Sequence, residues 1–187
     1  MPRLRLPAAG RRRGGAGGGE PARLGLRRVP LRAGAGPRIR ELAGAVAAHL
    51  RLTPPDRLRR RQAPGVWSPL EHACHVRDVL LVQRERVLVV RRGFGGPVEP
   101  MGRDERVEHD GYADQRPADV AVQVEQAALL FAGVLARLGP GDWDRTVGYG
   151  FPEPARRSLR WVAVHTEHEV AHHLADIRAQ PGAGPPS

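Results

Sequence analysis

Lysine is absent: all 30 basic residues of this 187-residue chain are arginine, set against 20 acids for a net charge of +10. An Arg-, Ala-, Gly- and Pro-heavy chain without Lys carries the mark of a GC-rich coding sequence, so the total charge says less about partners than its distribution does. Residues 1–36 hold nine Arg and one acid, Glu20, whereas the remaining 151 residues hold 21 Arg and 19 acids. Cysteine is nearly absent too. The single Cys74 excludes an internal disulfide, fits a reducing cytoplasm, and reads as a small core residue on a helix rather than a nucleophile. Aromatics make up 4% of the chain and none falls in the first 36 residues, so a basic arm there would contact nucleic acid only non-specifically, through phosphates. No uninterrupted apolar run approaches a membrane span, and the N-terminal stretch has no apolar region of a secretory signal. No glycine-rich phosphate loop lies between a strand and a helix.

What remains is helical. Residues 1–36 are Gly/Arg/Pro-rich with no sustained apolar period, and are expected to be a disordered basic arm. From Arg38 to Arg51, apolar residues recur at helical spacing behind Pro37, until Thr53-Pro54-Pro55 stops them. Ser68-Pro69-Leu70-Glu71 then supplies a cap, a first-turn proline and the acid of a capping box for a second helix running to about Arg92. Residues 93–115 form a long polar crossover with at most a short helical turn. A third helix is expected over Pro117 to Leu138, ended by Gly139-Pro140-Gly141, and a fourth over Ser158 to Gln180. Ser68 and Ser158 are better explained as helix caps than as nucleophiles. No strand pairing is evident, so the expected fold is all-α: an up-down-down-up or related four-helix bundle over 37–180, with a flexible tail at 181–187.

The fourth helix holds four of the eight histidines within nine residues: His165, His168, His172 and His173. At 100° per residue, Leu159, Ala163, Val170, Leu174 and Ile177 share one arc, and His165, His168 and His172 fall almost opposite it. Glu169 and His173, four residues apart, sit at the margin of the arc with Asp176 close by. A half-buried i,i+4 pair of carboxylate and imidazole presents two ligands to one transition metal. A third ligand must come from elsewhere, and His75 is best placed, because it shares a face of the second helix with Val79, Val82 and Val89. His49, near a helix end, and His72, on the flank of its helix, compete less well.

Trp67-Ser68-Pro69-Leu70-Glu71-His72-Ala73-Cys74-His75-Val76-Arg77-Asp78, followed some ninety residues later by His168-Glu169-Val170-Ala171-His172-His173-Leu174-Ala175-Asp176-Ile177, resembles the DinB-like superfamily over about Arg38 to Gln180. The resemblance implies a four-helix bundle with a divalent metal, zinc or nickel, on a His of the second helix and an i,i+4 pair of the last. Carried over, these are His75, Glu169 and His173. It also implies a thiol-dependent S-transferase or isomerase that takes a mycothiol-type thiol as cosubstrate and a small electrophile as substrate. Two other readings stay open. One is a non-catalytic, stress-associated metal-binding module. The other is a zinc metallohydrolase, since His168-Glu169-Val170-Ala171-His172 matches H-E-x-x-H with Glu169 as general base. That alternative pair, His168 and His172, lacks a downstream third ligand other than Asp176. Bundles of this size often form homodimers, but no self-complementary surface can be read from the sequence.

Overall fold

The computed structural model describes residues 34–150 and 153–180. The expected basic arm, apart from its last three residues, and the expected tail at 181–187 lie outside them. Four long helices carry the fold: α1 (Ala35–Leu52), α3 (Pro69–Arg91), α5 (Pro117–Leu135) and α6 (Leu159–Ala179). Two short ones lie in the connections, α2 (Pro55–Leu58) and α4 (Arg103–His109), with a 3-10 turn at Tyr112–Asp114. α1 and α3 each pack on both α5 and α6, and touch one another only lightly. The second long helix therefore lies across the bundle from the first. Ile39, Val46, Leu70, Leu80, Val124, Phe131, Val162 and Ile177 fill the space between the four helices.

Both serine caps act as the sequence implies. The Glu71 amide donates to Ser68 Oγ at 3.3 Å and the Ser68 amide donates to Glu71 Oε2 at 2.7 Å, closing the capping box; Pro69 supplies the first turn. At α6 the Trp161 amide donates to Ser158 Oγ at 3.2 Å. Each cap fixes the phase of its helix, and that phase decides which histidines face inward.

Four departures from the sequence-based expectation have local causes. α1 starts at Ala35, inside the stretch assigned to the arm, and its first turn packs on α5: Gly36 is buried, and a Cβ there would lie 3.4 Å from that of Ala132. The expected loop at 142–154 contains an antiparallel hairpin of β1 (Thr146–Tyr149) and β2 (Ala155–Ser158). β2 reads Ala-Arg-Arg-Ser, with no apolar alternation to announce a strand. The hairpin is held by backbone pairing and by Gly148, whose missing side chain lets Pro97 Cα come where a Cβ would stand 2.8 Å away. The crossover is more structured than expected, since the 3-10 turn buries Tyr112, whose hydroxyl donates to Asp78 Oδ2 at 2.6 Å. Finally, α5 is long and apolar enough by length and composition to cross a membrane, although Asp119, Gln123, Glu125 and Gln126 make its first half polar. Its Val120, Val124 and Phe131 are buried and it packs on α1 and α3, as a bundle core helix does.

Candidate metal centre

Because Ser68 sets the phase of α3, its first three turns bury Glu71, His72, His75 and Asp78 between the helices. Unpaired, these groups would be costly there. Three of the four have polar partners. Arg61 forms an ion pair with Glu71, with Nε 2.9 Å from Oε2. Burial pushes the Glu71 carboxyl up, but the Arg61 and Ser68 hydrogen bonds outweigh it and leave the net shift downward. Asp78 accepts from Arg77 Nε at 2.7 Å and from Tyr112, with Arg106 Nη1 at 3.4 Å. This network ties the crossover to α3. His72 meets His173 of α6.

His75 is different. It is 3% exposed, and its Nδ1 is buried with no hydrogen-bond partner. Across from it, α6 contributes Glu169 and His173. One ligand atom from each of His75, Glu169 and His173 lies within 4.8 Å of the other two, and His173 Nε2 stands 3.9 Å from Glu169 Oε2. Burial, followed by the nearby Arg103 guanidinium, pulls the His75 imidazole down to about 4. Burial and then His75 pull His173 down to about 2. Both rings are therefore neutral at neutral pH, with nitrogen lone pairs available. Burial raises the Glu169 carboxyl. Two neutral imidazoles, one carboxylate and an orphaned buried nitrogen suit a divalent ion of the zinc or nickel class with an open coordination position.

The sequence-based site residues separate cleanly. His75, Glu169 and His173 come together, whereas His168 is exposed and the His172 side chain is 58% exposed. Those two rings stack on each other, centroids 6.3 Å apart, and neither joins a potential ligand group among the described residues. His165 stacks on Trp161 with centroids 4.4 Å apart, and His49 belongs to no such group either. Cys74 is fully buried and its thiol is pushed up to about 12, chiefly by burial, consistent with a core residue.

His72, expected on the flank of its helix, is buried. It lies one turn before His75, with its Nδ1 3.0 Å from His173 Nδ1. The i,i+3 spacing to His75, read together with the Ser68 cap, carried that signal. Trp67 forms part of a wall: its ring lies 5.0 Å from His75 and 5.6 Å from His72 between centroids. Its carbonyl accepts from Gln180 Nε2 at 2.8 Å, which fastens the end of α6 to the start of α3. Arg103 of α4 stands over the Trp67 ring at 5.3 Å. A cavity of about 510 Å³ opens here, lined among others by Trp67, His72, Arg103, His172, His173 and Asp176.

The sequence profile of the DinB superfamily matches residues 38–177. No match is found among curated proteins. Among solved structures, YfiT from Bacillus subtilis, described as "a probable metal-dependent hydrolase with an unusual four-helix bundle topology", superposes with a TM-score of 0.68 at 13% identity, over 76% of this chain and 81% of that one. The mycothiol-dependent maleylpyruvate isomerase superposes with a TM-score of 0.63 at 13% identity, over 80% of this chain. This chain covers 64% of that protein, less than two thirds of its length. At such identity the likeness establishes the fold.

Proposed function

The chain belongs to the DinB superfamily, and from that premise we propose that it is a divalent-metal-dependent enzyme that transfers or isomerises a small electrophile with a low-molecular-weight thiol of the mycothiol type. The observation that carries this reading is the buried, unpartnered Nδ1 of His75 beside the Glu169–His173 pair. His75, Glu169 and His173 would hold the ion, zinc or nickel. When bound, it would supply a Lewis acid that lowers the pKa of a coordinated thiol.

The chain's own residues have separate tasks. Glu169 and His173, one turn apart on α6, present their ligand atoms from a single rigid element, and His75 closes the set from α3. Trp67 forms an apolar wall that limits water on one side. Arg103 adds positive potential at His75, Glu169 and His173, which favours an anionic sulfur in the adjoining cavity. The substrate is small, because the cavity is of drug-molecule size rather than a peptide groove.

Hydrolysis is the competing reading, favoured by the likeness to YfiT. It would use the same three residues with water in place of the thiol. Protein purified without chelator is expected to carry one divalent ion and to conjugate mycothiol to an electrophilic acceptor. Ester or amide cleavage without thiol turnover favours hydrolysis, and stoichiometric metal with neither activity favours the non-catalytic module.

A further inference from the structure

His173 faces two groups of ligand atoms. Its Nε2 looks towards Glu169, and its Nδ1 lies 3.0 Å from His72 Nδ1 and 3.5 Å from Asp176 Oδ2. The third edge of this outer triangle, His72 Nδ1 to Asp176 Oδ2, is 3.9 Å. Four ligands about 2.05 Å from a tetrahedral zinc stand roughly 3.4 Å from one another. The outer triangle thus approximates a metal-sized face. One proton must sit between the two Nδ1 atoms for them to approach so closely, and a cation beside Asp176 would take over that bridging role. All three residues line the open cavity, whereas His75 does not.

We propose that His72, His173 and Asp176 form a second, outer cation position through which a divalent metal is loaded, with His173 handing the ion inward by exchanging the nitrogen it offers. This rests on the assignment of His75, Glu169 and His173 as the inner ligands. A neutral imidazole has one lone pair, on whichever nitrogen lacks the proton. His173 therefore serves one position at a time. An ion outside is bound through Nδ1, and an ion inside through Nε2 with Nδ1 protonated and free to donate to Asp176 or His72. Such a carboxylate partner also orients a metal-ligating histidine. His172, whose Nε2 is 3.5 Å from Asp176 Oδ2, flanks the outer position on the solvent side. The chain would then hold one ion at equilibrium, deep in the bundle, and would take it up through the outer group.

Zinc, added to chelator-stripped full-length protein, is the probe; uptake is followed by stopped flow and occupancy by competition with a chromophoric chelator. His72→Ala and Asp176→Asn should still end with one zinc but take it up at least about tenfold more slowly. His75→Ala should keep one zinc at weaker affinity, and adding His72→Ala to it should remove that zinc. Unchanged uptake rates in both outer variants would overturn the loading route. Loss of all zinc from a folded His75→Ala protein, checked by circular dichroism and with His75→Gln as a milder variant, would reduce the outer group to a hydrogen-bonded brace. Equal affinity in the native and His75→Ala proteins would keep the outer position and sink the inner assignment. Absence of zinc from the native protein would overturn both.

Discussion

Two pairs of residues on α6 share the i,i+4 spacing that suits a metal, and only one residue of helical phase separates them. His168 and His172 spell the better-known motif, yet both are exposed, and His172 meets His168, His173 and Asp176 at the surface. Glu169 and His173, one step on, fall at the edge of the buried face with His75 opposite, and His173 is 9% exposed. The difference shows that a ligand pair is defined by the face its helix buries. Spacing supplies two ligands, but the apolar positions Val170, Leu174 and Ile177, all buried, decide which two. Rotating α6 to turn His168 and His172 inward would expose those side chains, at about 1.5–3 kcal/mol each.

The largest effect should come from the residues that set this phase. Leu174→Ala, which empties a buried position next to His173, should cost about 2–5 kcal/mol in denaturant unfolding and loosen the ligand geometry with it. A cost below about 1 kcal/mol would show that α6 is not held by this face. Next come the inner ligands: Glu169→Ala should weaken zinc binding by at least about 100-fold in chelator competition, more than loss of an outer-shell partner does. An unaltered affinity would place the ion elsewhere.

Acid should distinguish the two pairs more gently. In the unfolded chain, His75 and His173 take up protons near 6.5, but in the folded protein only near about 4 and about 2, because burial opposes the charge. Between those values the unfolded state binds more protons, so metal-free stability should fall as pH drops from about 6.5, by on the order of 1 kcal/mol per unit for each ring. His173→Ala should flatten that slope and His168→Ala should not; identical slopes in all three proteins would contradict the burial argument. The smallest effect belongs to the exposed pair. His168→Ala should leave zinc affinity within about twofold, and His172→Ala should lower it at most about tenfold, through its contact with Asp176.

Much of this was legible because it depends on local chemistry. Ser68, Pro69 and Glu71 announce their helix in four residues, and the apolar arc of α6 assigns Glu169 and His173 to its margin before any fold is known. What stayed hidden depends on neighbours distant in sequence. β2 has no strand pattern, since Ala155–Ser158 pairs through its backbone with a strand whose Gly148 admits Pro97. Tyr112 shows no helical period because its partners are distant in sequence: its hydroxyl donates to Asp78, 34 residues earlier, and Arg77 lies over its ring. His72 looked like a flank residue because its partner, His173, is 101 residues away.

If the buried face of α6 chooses the ligands, zinc titration of His173→Ala beside His168→Ala separates the two pairs. The His173→Ala protein, which lacks the residue common to both ligand groups, should bind no stoichiometric zinc, while the His168→Ala protein should bind one ion as tightly as the native chain. Retention of zinc by His173→Ala together with its loss from His168→Ala would contradict this and restore the H-E-x-x-H reading.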